Sequence, residues 1–96
     1  MEIVIPVSNE ERVATLKAIQ QLNDIRHLKY MSVGMISETC QIKQTKLRAV
    51  LDDLVSKGLA VRYQATENPK IQRYYFVVTD AGRDLIAEEE SVAEET

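Results

Sequence analysis

The chain contains no tryptophan, one phenylalanine, one cysteine and one histidine among its 96 residues. Because large aromatic side chains are scarce, the core has to be built mainly from aliphatic residues. Its one cysteine, Cys40, cannot form an internal disulfide, and Cys40 with His27 alone would make a poor zinc site. We therefore interpret Cys40 as a small apolar filler and His27 as a surface residue, and we predict no bound metal.

Long apolar runs are absent as well. No stretch approaches the roughly 18 residues that a membrane-spanning helix needs. The opening segment MEIVIPVSNEE has no basic region, and its apolar run is shorter than that of a secretory signal. Without a disulfide to form or a membrane segment, the expected compartment is the cytoplasm.

The residue patterns that catalysis needs are also missing. The three glycines, at positions 34, 58 and 82, are dispersed and form no phosphate-binding loop. The acidic pairs Glu10–Glu11 and Asp52–Asp53 fall in predicted helices, where adjacent side chains point apart. These absences predict a protein that is not an enzyme and needs no cofactor.

Charge is unevenly distributed along the chain. The net charge is −3 at pH 7, which taken as a whole argues against nucleic acid as a partner. Residues 41–75, however, carry seven basic and three acidic side chains, a local net charge of +4. Residues 76–96 carry one basic and seven acidic side chains, a local net charge of −6. The basic middle therefore favours an anionic partner at that part of the chain.

The spacing of apolar residues predicts four helices. Ser8 and Glu11 have the S-x-x-E form of a capping box, so the first helix should begin at Asn9 and end near NDIRH. A second helix, VGMISETC, should follow the N-cap Ser32, and the fourth should follow the N-cap Thr79. The third helix runs from after QIK to VSKG, and its predicted inner face consists of Leu47, Val50, Leu51 and Leu54.

Two strands are predicted between the third and fourth helices, because apolar residues alternate in LAVRYQ and again in RYYFVV. The turn-rich segment ATENPKIQ connects them. We also predict a short strand at LKYM, residues 28–31. The residues of the hairpin that we expect to face inward are Leu59, Val61, Tyr63, Tyr74, Phe76 and Val78.

This order of elements is the winged-helix plan, an α+β fold with a three-helix core, a β-hairpin wing and a C-terminal helix. We expect residues 1–7 to form an apolar N-terminal arm. Residues 8–87 should form the winged-helix domain, and residues 88–96 an acidic tail that frays.

Three stretches of the sequence indicate which class of winged-helix protein the chain resembles. SVGMISETCQIKQTKLRAVLDDLVSKGLAVR has the pattern of a helix, a turn and a recognition helix. RYYFVV falls in the wing, and VTDAGRDLI is similar to an L-T-x-x-G-x-x-L motif that ends it. Together they resemble winged helix-turn-helix transcription regulators of the MarR and PadR style. Gln41 stands at the turn position where those families usually have glycine, so it should adopt a positive φ or the turn should differ.

The resemblance implies that the third helix reads the major groove of double-stranded DNA and that the wing contacts the backbone or the minor groove. Lysine, arginine and glutamine can bond phosphates or the edges of guanine and adenine, although any solvated helix also carries them. Asp52 would mark the end of the contact or pair with Arg48. The candidate DNA-binding residues are Lys43, Gln44, Thr45, Lys46, Arg48, Lys70 and Arg73.

The leading hypothesis is therefore a sequence-specific DNA-binding transcription regulator that acts as a homodimer, since two copies double the few base pairs that one unit contacts. The dimer would form through the N-terminal arm, the first helix and the last helix, unless the last helix closes the monomer's own core. The alternative, favoured by the acidic total and the missing effector domain, is a winged-helix module that binds protein, or an accessory factor. The candidate dimer residues are Ile3, Ile5, Leu85, Ile86 and Val92.

Overall fold

The structure, a computed structural model, is a winged helix and describes residues 6–65, 68, 70, 71 and 73–94. Three helices form the core, a two-stranded antiparallel hairpin forms the wing, and a fourth helix packs against the first. The predicted α+β class is confirmed. In chain order the elements are α1 (Asn9–Asn23), α2 (Val33–Cys40), α3 (Gln44–Ser56), β1 (Ala60–Gln64), β2 (Tyr74–Val78) and α4 (Asp80–Glu94).

Side-chain caps set the starts of α1 and α2. The Ser8 hydroxyl accepts the backbone N–H of Glu11, and the Glu11 carboxylate accepts the backbone N–H of Ser8, which completes the predicted capping box. The Ser32 hydroxyl likewise accepts the N–H of Met35 at 3.1 Å. The N-cap of α3 is Lys43, which makes no side-chain cap hydrogen bond. The first N–H groups of α3 therefore lack the side-chain partner that the other two helices have.

The turn between α2 and α3 is formed by Gln41, which has a φ of 60° and a ψ of 35°. Its N–H donates to the carbonyl of Ser37 at 2.7 Å, and the Ser37 hydroxyl donates to the carbonyl of Ile42 across the turn. Of the two outcomes predicted for Gln41, a positive φ or a different turn, the positive φ is the one observed. A residue with a Cβ pays roughly 1 kcal/mol for this left-handed conformation, and the surrounding bonds hold it there.

Gln41→Gly is accordingly expected to raise the free energy of unfolding by roughly 0.5–1 kcal/mol, because glycine adopts a positive φ without steric cost. Urea denaturation of the variant and the wild type measures the difference. Gln41→Ala is the matched control, since it keeps the Cβ and removes only an exposed side chain. An equal gain in the alanine variant, or no gain in the glycine variant, would show that the left-handed turn is not strained.

The core lies where α1, α2 and α3 meet, and it continues beneath β2 and α4. Among the described residues, Phe76 is the one buried aromatic ring, so the core is aliphatic as the composition predicts. Ile86 of α4 is only 7% exposed and belongs to the monomer's core, which confirms that α4 closes the domain. The predicted inner face of α3 is correct, with burial of Leu47, Val50, Leu51 and Leu54.

The faces of β1 are the reverse of those predicted. Ala60 pairs with Val78, and both are buried, whereas Val61 is 38% and Tyr63 is 55% exposed. The prediction that Val61 and Tyr63 face inward is therefore wrong. Leu59 belongs to the turn after α3, so the alternation begins one residue later, and a one-residue shift moves every side chain of a strand to the other face. The inward set predicted for β2 is correct, because Phe76 and Val78 are buried and Tyr74 is half-buried on the same face.

Residues 28–31 do not form the predicted strand. The Met31 N–H donates to the carbonyl of Tyr74 in the wing at 2.8 Å, but this bond does not extend into a strand ladder. At the other end of the chain, α4 continues to Glu94, so most of the acidic segment 88–96 is helical. Fraying of that segment and the predicted domain boundaries stay predictions.

Candidate nucleic-acid interface

A groove with a volume of about 530 Å³ opens between α3 and the wing, beside the start of α2. Its floor includes the buried side chains of Met31, Leu51 and Phe76. Its charged rim is mainly cationic, with three arginines and one aspartate. The polar and aromatic residues around the rim include Tyr30, Gln44, Arg48, Asp52, Arg62, Arg73 and Tyr74.

The exposed side of α3 borders this groove. Gln44, Arg48 and Asp52 follow one another at intervals of four residues, so they form a line along one side of the helix, and all three are exposed. Thr45 is exposed beside this line, and Lys43 is exposed where the helix begins. Four of the residues predicted to bind DNA therefore share one solvent-facing side of α3.

Lys46 lies on a different side of α3, facing α1. Its ammonium is 3.2 Å from the carboxylate of Glu11, and its side chain is 34% exposed. Asp53, two helical turns further along, faces α1 as well and binds the Nε of Arg12 at 2.6 Å. Two ion pairs of opposite polarity thus hold α3 against α1. The charge of Lys46 is therefore already paired with that of Glu11.

The Glu11 carboxylate is stabilised in its charged form. The hydrogen bond from the Ser8 backbone, followed by the interaction with Lys46, lowers the pKa of Glu11 in spite of partial desolvation. A depressed folded-state pKa stabilises the fold above the carboxyl group's ordinary pKa, and that stabilisation is lost as the pH falls through the folded-state value. The capping box and its link to α3 are therefore intact at neutral pH and weaken in acid.

Both arginines of the wing lie over tyrosine rings at the groove. The guanidinium carbon of Arg73 is 4.6 Å from the centroid of the Tyr30 ring, and that of Arg62 is 5.4 Å from the centroid of the Tyr74 ring. Such cation–π contacts are attractive and restrict the flexible arginine side chains. The two guanidinium groups are thus held at the rim of the groove.

Arg62 also belongs to this site, although it lies on the flank of the wing and is not among the DNA-binding residues predicted from the sequence. It pairs with Phe76 across the hairpin and so shares the face of the sheet that borders the groove. Its guanidinium lies 3.2 Å from the carboxylate of Asp52 on α3, so the suggested pairing of Asp52 with Arg48 is wrong. The strand register would have identified Arg62, but the alternation in LAVRYQ fits either face.

The cations fall into two groups by their partners. Carboxylates hold Arg12, Lys17, Lys46, Lys57, Arg62 and Arg83. Arg26 and Lys29, which lie between α1 and α2, have no carboxylate partner within the described residues. The same holds for four of the residues predicted to bind DNA, Lys43, Arg48, Lys70 and Arg73. Arg48 and Arg73 line the groove, whereas Lys43 is the N-cap of α3 and Lys70 lies between the two strands of the wing. Two of these cations are thus at the groove, and the other two are on the elements that border it.

Other kinds of site find little support in the part of the chain that the structure describes. That part contains no group of histidine, cysteine and acidic side chains arranged to hold a metal ion. None of its helices combines the length and the apolar character required to cross a membrane. His27 is exposed, as expected, and Cys40 packs against the core but is half-buried rather than fully buried.

No protein-family model and no curated protein matches the chain. Among solved structures, the fold is similar to that of BpsR from Bordetella bronchiseptica, a protein whose DNA binding is regulated by 6-hydroxynicotinic acid. The TM-score is 0.66 and the sequence identity is 20%, over 96% of this chain and 65% of the BpsR chain. The chain thus spans just under two thirds of the length of BpsR, and the likeness shows a shared fold.

Proposed function

We propose that this protein is a sequence-specific DNA-binding transcription regulator that places α3 and the wing against double-stranded DNA. The observation that carries the proposal is that α3 and the wing carry four cations with no carboxylate partner among the described residues, two of which, Arg48 and Arg73, line the open groove between these elements. Contacts with phosphate dominate the affinity of proteins for DNA, and they need cations that the fold has not already neutralised. That BpsR, which has the same fold, binds DNA supports the proposal.

In this proposal the first turns of α3 enter the major groove. Arg48 can bond O6 and N7 of guanine, and Gln44, one turn earlier on the same line, can bond N6 and N7 of adenine. Lys43 and Thr45 lie at the helix start, where phosphate contacts are common. The uncapped N–H groups of α3 add donors and a partial positive charge at the same end.

The wing contributes Lys70 and Arg73, which would contact the backbone or the minor groove. Arg73 is already held over the ring of Tyr30, so less side-chain freedom is lost when it binds a phosphate. Lys46 is left out of the proposed surface, because Glu11 holds its ammonium on the side of α3 that faces α1.

We further propose that two copies bind one duplex, because a single winged-helix unit contacts too few base pairs for high affinity. α1 and α4 are the dimer candidates among the described elements. Ile86 is buried in the monomer's core, so it is not available for a dimer contact. Leu85 packs partly against the same core. The predicted contributions of Ile3 and Ile5 lie outside the described residues, and so does the side chain of Val92.

A salt titration tests the proposal. Affinity for a fluorescent duplex of about 30 base pairs should be measurable at low salt, and log K should fall with log [salt] with a slope of about −3 to −4 per protomer, one contact for each of the cations Lys43, Arg48, Lys70 and Arg73. Fluorescence anisotropy gives the slope and, at stoichiometric concentrations, the expected two protomers per duplex. Selection of bound duplexes from a random pool should yield a consensus. Absence of binding at about 50 mM salt contradicts the proposal.

A module that binds protein instead of DNA is the second candidate. The outer face of the wing favours it, because Val61 and Tyr63 are exposed there and stand opposite Val77 and Tyr75. The net charge of −3 favours it too. The same titration separates the candidates, since a protein-binding module has no reason to bind the duplex in a salt-dependent way.

A further inference from the structure

Asp52 is an acidic side chain within a cationic surface. Among the described residues that line the groove it is the one carboxylate, and it continues the line of Gln44 and Arg48 along α3. Its Oδ1 is 3.2 Å from a terminal nitrogen of Arg62, which joins α3 to the wing. The Asp52 side chain is 71% exposed and the Arg62 side chain 39%, and ion pairs this exposed add little to the stability of a fold.

The neighbouring Asp53 shows the contrast. Its carboxylate is 23% exposed, and it holds Arg12 of α1 at 2.6 Å, where it fixes two helices together. Asp52 has no comparable role in the core. The groups that face it are the guanidinium of Arg62 and, around the same groove, those of Arg48 and Arg73. Asp52 therefore affects the charge of the groove more than the stability of the fold.

We propose that Asp52 is an intramolecular counter-ion that competes with DNA phosphate for Arg62 and thereby weakens DNA binding. This role of Asp52 rests on the proposed function, DNA binding at α3 and the wing. Arg62 is held at the rim over the ring of Tyr74, where its guanidinium would meet the backbone of a bound duplex. A phosphate can bind Arg62 only by displacing or sharing the Asp52 carboxylate, and the negative charge of Asp52 also repels it. Asp52 thus sets the strength of the contact between Arg62 and phosphate, which does not depend on base sequence.

The test uses Asp52→Asn, which keeps the shape of the side chain and removes its charge. Affinity for a random-sequence duplex is expected to rise roughly three- to tenfold, and the salt slope to steepen by about 0.9, the value of one additional phosphate contact. The charge-matched control is Asp84→Asn, at an exposed position of α4. Its affinity should stay within about twofold of the wild type, because it alters net charge alone.

A double-mutant cycle shows whether the effect passes through Arg62. Arg62→Gln alone should change affinity little, and the gain caused by Asp52→Asn should disappear when Arg62→Gln is present as well. A wild type that does not bind DNA overturns the proposed function and this inference together. A wild type that binds, with Asp52→Asn unchanged, equal to Asp84→Asn, or still tighter in the absence of Arg62, overturns the counter-ion role alone.

Discussion

Gly82→Ala is expected to lower the free energy of unfolding by about 3 kcal/mol or more, a large part of the stability of a domain this small. A Cβ at position 82 would lie 2.2 Å from the carbonyl oxygen of Leu59 and 2.7 Å from a methyl carbon of Val78. A backbone oxygen cannot rotate away as a side chain can. Either α4 or the turn before β1 would therefore have to move.

Thr79 makes that movement costly. Its hydroxyl donates to the carbonyl of Gly58 at 2.6 Å, and its N–H donates to the carbonyl of Leu59 at 3.1 Å. The N–H of Gly82 in turn donates to the Thr79 hydroxyl at 3.2 Å. The first turn of α4 is thus fastened to the turn that ends α3, and these bonds would stretch or break if an additional methyl group pushed the two apart.

Gly34→Ala is the matched control, because it places the same methyl group at another helical glycine. The nearest atoms there belong to side chains, Nε2 of Gln44 at 3.4 Å and Oγ of Ser32 at 3.8 Å. Alanine favours a helix by about 1 kcal/mol relative to glycine, so stability should hold or rise. Thermal and urea denaturation measure both variants, and a Gly82→Ala protein as stable as the wild type would rule out the close approach of α4 to Leu59.

The starts of α1, α2 and α4 were predictable from the sequence because caps are local. Ser8 with Glu11, Ser32 and Thr79 each bond a backbone N–H only three residues away, so the sequence around each position contains the whole interaction. The place of the turn between α2 and α3 was predictable in the same way, since Gln41 lies between two periodic segments. Its left-handed conformation was one of two outcomes that the sequence left open, because the spacing does not show whether a residue with a Cβ keeps the turn that glycine would form.

Which residues belong to the site depends on contacts between distant parts of the chain, and the spacing of residues along the sequence does not show these contacts. Lys46 looks like a DNA contact in sequence, but Glu11, far earlier in the chain, holds it on the other side of α3. The sequence prediction placed Arg62 on the outer face of the wing, because the alternation in LAVRYQ fits either face of the strand. The pairing of Arg62 with Phe76 shows that it lies on the inner face. Asp52 meets Arg62 only after the hairpin is paired and docked on α3. Each case required knowing which elements lie side by side.

Arg48→Glu is expected to lower the affinity for duplex DNA about a hundredfold at moderate salt. The substitution removes an unpaired cation from the centre of the proposed surface and adds a carboxylate in line with Asp52. Loss of a good arginine contact costs about 1–3 kcal/mol, and the introduced negative charge repels phosphate in addition. Because Arg48 is exposed and pairs with no carboxylate in the described part of the chain, the variant should be almost as stable as the wild type, so the loss reports binding.

Arg83→Glu supplies the matched control. It changes the net charge by the same amount, but it lies in the first turn of α4, where Arg83 pairs with Asp80. That turn adjoins the end of the hairpin where Ala60 pairs with Val78, away from the tip of the wing. A long-range effect of net charge would weaken both variants alike, whereas a contact at the groove would weaken only one of them.

The most direct test of the claim that DNA binds at α3 and the wing is therefore one anisotropy titration of the same duplex with these two variants and the wild type. We expect Arg48→Glu to bind about a hundredfold more weakly and Arg83→Glu to stay within about threefold of the wild type. Equal losses, or a larger loss in Arg83→Glu, would show that this surface does not bind the DNA.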